Sequence, residues 1–160
     1  MKSPVASVTE YDVVIAGGGP GGAAMAVFLS RNGHRVLVLD QGKFPRYHIG
    51  ESLIPHTYGI FERLGLLEKL KSSEFPLKHS VRFVARDGKE SAPFYFSETI
   101  AGPGAVTWQV ERGEFDRMML EHARENGVEV RERTQVDSVI FENGRACGVV
   151  AAPEGSGFAT

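Results

Sequence analysis

The stretch YDVVIAGGGPGGAAMAVFLSRNGHRVLVLD, residues 11–40, decides the fold. Residues 11–16 (YDVVIA) are short, β-branched and apolar on both faces, as in a central parallel strand covered on two sides. A glycine-rich turn follows, and then a helix from about Gly21 to Asn32. Gly33 closes that helix as a left-handed cap, and residues 35–39 (RVLVL) predict a second buried strand ending at Asp40. Together they form a βαβ unit of roughly thirty residues. Within it Gly17, Gly19 and Gly22 stand in the spacing G-x-G-x-x-G, after the strand and at the start of the helix. Gly17 permits the tight turn, Gly19 lets the backbone approach a pyrophosphate, and Gly22 lets helix and strand pack closely. Pro20, Gly21 and Gly22 open the helix, whose first N–H groups and positive dipole end face the phosphates. Asp40 is placed to accept hydrogen bonds from ribose hydroxyls and disfavours a 2′-phosphate by charge repulsion. Gly17, Gly19, Pro20, Gly21, Gly22 and Asp40 are therefore read as dinucleotide-binding, with NAD and FAD not separated by the fingerprint alone.

Composition narrows the classes outside that stretch. With 160 residues, 42% of them hydrophobic and 24% charged, the chain can bury one ordinary core. The net charge of −2 leaves no basic excess to neutralise phosphates, which argues against nucleic acid as a partner. Cys147 is the only cysteine, so no intrachain disulfide forms and the cytoplasm is the default location. Residues 13–29 carry no charge, but the six positions 17–22 are all glycine or proline, so an integral membrane segment is not read here. The five histidines show no paired ligand spacing, so no metal site is expected. There is also no G-x-S-x-G hydrolase elbow.

Farther along, residues 41–52 (QGKFPRYHIGES) lack periodicity and read as a long functional loop. Residues 55–64 and 66–72 predict two short helices broken at Gly65, with Ile60, Leu64, Leu67 and Leu70 at helical spacing. Strands are expected at 81–86, stopped by Asp87-Gly88, and at 94–96. Residues 114–126 predict a helix with Phe115, Met118, Met119 and Ala123 inward and Gly127 as its cap. A third parallel strand follows at 128–131, then a hairpin of 136–141 with 146–150 turned by Asn143-Gly144. The small, polar tail 153–160 is expected to fray.

Beyond the fingerprint, GGGPGG (17–22), FPR (44–46), GES (50–52) and QVER (109–112) leading to Phe115-Asp116 carry a resemblance. The chain resembles the flavin monooxygenase and geranylgeranyl reductase superfamily from Tyr11 to about Val150. Its loop FPRYHIGESLIP (44–55) is most similar to that of flavin-dependent halogenases of the phenol and pyrrole type. The fold this implies is α/β, a Rossmann-like FAD-binding domain whose parallel sheet holds the βαβ unit, with a β-hairpin and part of a substrate-domain sheet, truncated. Residues 1–160 would be the amino-terminal portion of the FAD-binding domain, with 73–108 an inserted piece of the substrate domain.

The resemblance also implies roles. Asp40 would hold the adenosine ribose, Arg46 and Ser52 would lie along the FAD between pyrophosphate and ring, and Gln109 and Arg112 would contact its ribityl and phosphate region. The backbone at Val136 would meet the adenine. In such halogenases reduced flavin reacts with oxygen to a C4a-hydroperoxide, which halide attacks to give hypohalous acid. A lysine three residues after an aromatic then holds or activates the halogen, and Phe75-Pro-Leu-Lys78 matches, making Lys78 the catalytic candidate. The ammonium can donate a hydrogen bond to hypohalous acid, or the amine can act as a nucleophile.

The implied substrate is an electron-rich aromatic or pyrrole, small or carrier-bound, with a flavin reductase supplying reduced flavin. Two alternatives use the same FAD motifs: a monooxygenase or prenyl reductase, and a non-catalytic FAD- or ADP-binding fragment. Family members are several hundred residues long, and their second Gly-Asp motif and Trp-x-Trp-x-Ile-Pro signature would lie beyond Thr160. The chain is thus expected to leave its first strand with an open apolar edge and to need the remainder of a longer chain, or a homo-oligomer partner, for turnover.

Overall fold

The computed structural model describes residues 10–153, so the tail expected to fray lies, after Pro153, outside the described residues. In chain order the elements are β1 (Val13–Ala16), α1 (Pro20–Arg31), β2 (Val36–Leu39), α2 (Thr57–Leu64) and α3 (Leu67–Lys71). The short strands β3 (Leu77–Lys78), β4 (Ser80–Val81), β5 (Phe94–Tyr95) and β6 (Thr107–Trp108) come next. The chain continues through α4 (Arg112–Glu125), β7 (Glu129–Arg131), β8 (Thr134–Glu142) and β9 (Arg145–Pro153). The described residues divide into two compact units, one of residues 10–45 with 116–153 and one of residues 46–115.

The first unit carries the parallel sheet, in the order β1-β2-β7. Val13 pairs with Val36 and Ala16 with Leu39, while Leu37 pairs with Glu129. All four residues of central β2 are buried, whereas β1 stands at an edge of this sheet with its apolar residues only half-buried. The open edge expected for the first strand is therefore present among the described residues. Helix α1 begins one residue earlier than expected, at Pro20, because proline fixes φ at a position whose N–H has no helical acceptor. Its buried residues Ala23, Ala26 and Val27 are small, which lets the helix axis approach closely. At its far end Ser30 Oγ donates to the Asn126 carbonyl (2.7 Å) and Arg31 Nε to Asn126 Oδ1 (2.8 Å), joining it to the end of α4. In α4 itself Met119, Leu120 and Ala123 are buried while Met118 is only half-buried, so Leu120 replaces Met118 in the inward set.

The hairpin is longer than its apolar pattern suggested, with nine residues in each of β8 and β9. Asn143 (φ 50°) and Gly144 (φ 78°) occupy consecutive left-handed positions, the conformation that an Asn-Gly pair favours in a two-residue turn. The register shifts between Val136 and Ser138 and between Ile140 and Phe141, each a bulge that bends the ribbon.

The second unit packs around aromatic rings. Tyr58 stacks on Trp108, and Phe61 meets both Trp108 and Phe115 edge-on, with centroids 6.5 and 5.9 Å apart. Leu64, Leu66 and Leu70 are fully buried beside them, while Ile60 is exposed. Gly65 ends α2 in the left-handed conformation (φ 70°), as its place in the sequence required.

Two strand readings are corrected here. The strand expected at 81–86 shrinks to Ser80–Val81, paired with Phe94–Tyr95, plus an isolated bridge of Val84 with Glu90. Residues 82–92 are exposed throughout, so the alternation in that stretch has no core to bury against. Phe96, expected as the last residue of a strand, instead opens a 3-10 turn, Phe96–Glu98. Sequence reading had no strand at β3 or β6, which pair antiparallel through Leu77 with Trp108 and Lys78 with Thr107.

A Cβ on Gly22 would lie 2.0 Å from the Gly17 carbonyl oxygen, whereas one on Gly21 would meet nothing within 4 Å. We expect Gly22→Ala to lower stability by about 1–3 kcal/mol or more, since the clash is with backbone, and Gly21→Ala to stay within about 0.5 kcal/mol. Urea unfolding of the two variants side by side checks this.

Candidate functional site

In the first unit the site begins at the glycine turn. Gly17 leaves β1 with φ 108°, a conformation that side chains rarely adopt, and its N–H donates to the Leu39 carbonyl (2.7 Å). The first helical bond of α1 runs from the Ala23 N–H to the Gly19 carbonyl (2.9 Å). The N–H groups of Gly21 and Gly22 thus precede that bond, and Pro20 has none. No side chain caps this helix and no acidic residue stands in its first turn. With the open space over Gly21, these features fit the pyrophosphate of a dinucleotide: helix-start peptide dipoles, no acidic residue in the first turn and no Cβ in the way at position 21.

Asp40 follows β2 and is only 6% exposed. Its Oδ2 accepts from the Gly18 N–H (2.7 Å) and its Oδ1 from the Gly42 N–H (2.8 Å). Its main chain donates to the Arg131 carbonyl (3.0 Å) and accepts from the Thr134 N–H (2.9 Å). Asp40 thereby joins the glycine turn, the chain after β2 and the start of β8. Val136 lies two residues farther along β8, half-buried, paired with Ala151 and next to the bulge. Gly18, which sequence reading passed over, is buried, and a Cβ there would approach Leu120 Cδ1 to 3.1 Å.

The second unit gathers the other candidates. The GES loop runs beside the segment from β6 to α4: Leu53 N–H donates to the Trp108 carbonyl (3.2 Å), Ser52 forms a bridge with Gln109, and Val110 N–H donates to the Glu51 carbonyl (2.7 Å). Arg112 Nη1 donates to the Ile49 carbonyl (2.7 Å), and Gly50 (φ 115°) leaves the space that this guanidinium fills, 2.9 Å from where a Cβ would sit. Arg46 is half-buried, with its carbonyl oxygen 3.2 Å from where a Cβ on Gly113 would stand. Lys78 extends from β3, where its Nζ donates to Ser52 Oγ and to the Leu53 carbonyl (3.4 Å). Ser52, Lys78, Gln109 and Arg112 are thus brought together around one loop, with Arg46 at its start.

Glu111 was not singled out by sequence reading, yet it caps α4. Its Oε2 accepts from the Glu114 N–H (2.8 Å) and its Oε1 from the Gly113 N–H (3.0 Å), and these bonds hold its carboxyl below the usual glutamate range. The available signal was an acid at the residue before a helix, obscured because the helix was read as starting at Glu114.

A parallel βαβ sheet, a glycine turn into a bare helix start and an acid after the next strand define a dinucleotide-binding α/β protein. Residues 10–155 match the FAD binding domain family, and the chain belongs to that family, whose cofactor is FAD. Among curated relatives, the 1H-pyrrole-2-carbonyl-(peptidyl-carrier protein) chlorinase of Pseudomonas fluorescens is 36% identical over 149 residues, covering 82% of this chain and 33% of the relative. The solved myxobacterial chondrochloren halogenase CndH superposes with a TM-score of 0.84 at 41% identity, covering 91% of this chain and 33% of that one. PqsL of Pseudomonas aeruginosa, described as a probable FAD-dependent monooxygenase, gives 0.72 at 26% identity, covering 88% of this chain and 38% of its own. The chain spans about a quarter to a third of the length of the curated relatives it matches. No helix among the described residues is long and apolar enough to cross a membrane.

Two expectations follow from these bonds. Asp40→Asn keeps the shape but has one acceptor oxygen for two N–H groups, so it should cost about 1–3 kcal/mol and lower FAD retention, read by denaturation and by flavin absorbance. Because the Glu111 carboxyl is held down in the folded protein, its contribution is present above its ordinary value of 4.5 and is lost as pH falls through the depressed folded value. The Tm difference between wild type and Glu111→Ala should therefore be largest near neutrality and vanish in acid.

Proposed function

We propose that this chain is the cofactor-gripping portion of an FAD-dependent halogenase, an oxidoreductase that halogenates an electron-rich aromatic or pyrrole. In this reading the N–H groups at Gly21 and Gly22 receive the pyrophosphate, with Gly17, Gly19 and Pro20 shaping the turn. Asp40, whose carboxylate is oriented by the N–H groups of Gly18 and Gly42, would hold the ribose. The backbone at Val136 borders the adenine, and Arg46, Ser52, Gln109 and Arg112 follow the cofactor toward its ring. Reduced FAD, when bound, would activate molecular oxygen, the oxidant that turns halide into an electrophilic halogen species.

The observation that carries the reading is Lys78, whose ammonium is held against Ser52 of the GES loop. There it can donate to the oxygen of hypohalous acid, or hold the halogen, beside a substrate. Residues 73–108 then belong to the substrate domain. The likeness to the carrier-protein chlorinase favours a carrier-bound substrate, though a free small molecule uses the same chemistry. We assign the protein to the cytoplasm on its single cysteine, with a separate reductase delivering reduced flavin. Turnover needs the rest of a longer chain or a second copy.

A second reading, a monooxygenase, is favoured by the likeness to PqsL and gives Lys78 no part. Lys78→Ala in the full-length protein separates the two. On the halogenase reading, halogenated product falls by roughly 10²-fold or more, on the scale of a lost proton donor, while reduced flavin is still reoxidised by oxygen. Undiminished product in the variant would reject the assignment.

A further inference from the structure

The surroundings of Lys78 differ from those of an ordinary surface lysine. Its backbone is fixed by the ladder to Thr107, which is fully buried, and its side chain is half-buried. The ammonium meets three groups from two separate segments: Ser52 Oγ, the Leu53 carbonyl (3.4 Å) and the face of the Phe96 ring, 5.7 Å from its centroid. Each of these groups is anchored to the same short ladder. Ser52 bridges to Gln109, Leu53 N–H donates to the Trp108 carbonyl, and Phe96 N–H donates to the carbonyl of His79, next to Lys78 (2.9 Å). Phe96 is itself buried, 6% exposed, and Ser52 is exposed.

All three partners are neutral acceptors, and no carboxylate lies within ion-pair distance of Lys78 among the described residues. An ammonium has three N–H donors. The hydroxyl and the carbonyl engage two of them, and the ring quadrupole attracts the charge without taking a proton or supplying a counter-ion. One N–H and the full positive charge remain for a ligand. A glutamate in place of this seat would hold the side chain equally well but cancel that charge.

We propose that Ser52 and Phe96 are positioning residues that fix Lys78 Nζ at one point and leave its charge and third N–H for the reacting group. This rests on reading Lys78 as the reactive amine. A flexible four-carbon stem otherwise samples many rotamers, and only those reaching the reacting group contribute to the rate.

The test uses the full-length halogenating protein and the variants Ser52→Ala, Ser52→Thr, Phe96→Leu, Phe96→Trp and Lys78→Ala. Two readouts are taken. The first is the rate at which acetic anhydride labels Lys78, followed by peptide mass spectrometry without turnover. The second is the pH profile of halogenation, with kcat and KM separated. We expect Ser52→Ala and Phe96→Leu to speed labelling at least threefold, to shift the pH profile and to lower kcat tenfold or more, with the substrate KM moving less than twofold. Threonine at 52 and tryptophan at 96, which keep the hydroxyl and the ring face, should restore most of the rate. Wild-type labelling and pH profile in Ser52→Ala, alongside an inactive Lys78→Ala, would overturn the positioning role and leave the Lys78 reading standing. Product from Lys78→Ala would overturn both. Should Phe96→Leu fail to fold, the exposed Ser52 pair decides alone.

Discussion

The turn between β1 and α1 closes over the place where a side chain at position 22 would lie, with the Gly17 carbonyl 2.0 Å from that point. Much of the first unit follows from this absence. Because helix and strand can approach, Gly18 is drawn into the interior, where its N–H meets the Asp40 carboxylate rather than water. The other oxygen of Asp40 fixes Gly42, and its main-chain carbonyl receives the N–H at the start of β8. A buried carboxylate is tolerated only where N–H donors replace its water, and the amides of Gly18 and Gly42 supply two. The acid proposed for a ribose thus also organises the turn proposed for the phosphates, so damage at either position reaches both.

The second unit solves a different problem. The loop from Arg46 to Ser52 exposes Tyr47 and Ile49 and has little apolar surface of its own to bury. Peptide groups hold it instead, through the Arg112 guanidinium, Val110, Leu53 and the bridge at Ser52. The aromatic packing of Phe61, Trp108 and Phe115 makes the segment it leans on rigid. A few directional bonds to a stiff support define such a loop, where packing would define a core.

The βαβ unit was legible because its signals are local: glycine spacing, an uninterrupted apolar run and an acid one residue after it. The Asn-Gly turn and the Gly65 cap were readable for the same reason, since each demands a conformation that few residues adopt. The pairing of Leu77 and Lys78 with Trp108 and Thr107 was not readable. Two residues are too few for period-two alternation, and their partners lie some thirty positions away. The opposite failure occurred at 81–86, where the alternation is clear but Phe83 and Val84 remain 69% and 64% exposed. Periodicity reports which face a strand would bury, and it cannot report whether anything is there to bury it. In the site, residue types were legible while their partners were not. Lys78 and Ser52 are 26 residues apart, and only the fold joins them.

Two groups of opposite sign, one in each unit, are held in a related way. Asp40 is fixed by the N–H groups of Gly18 and Gly42, and Lys78 by a hydroxyl, a carbonyl and a ring face. Dipoles of this kind fix a charge in place without cancelling it, unlike a direct ion pair, in which the Coulomb attraction is spent within the protein. A charge positioned by dipoles still acts on whatever enters beside it. On the proposed reading, that is what Lys78 offers to a halide or to the oxygen of a hypohalous acid. The mode of attachment, more than the residue type, therefore separates Lys78 from exposed pairs such as Lys71 with Glu68, which satisfy one another and leave little field for a ligand.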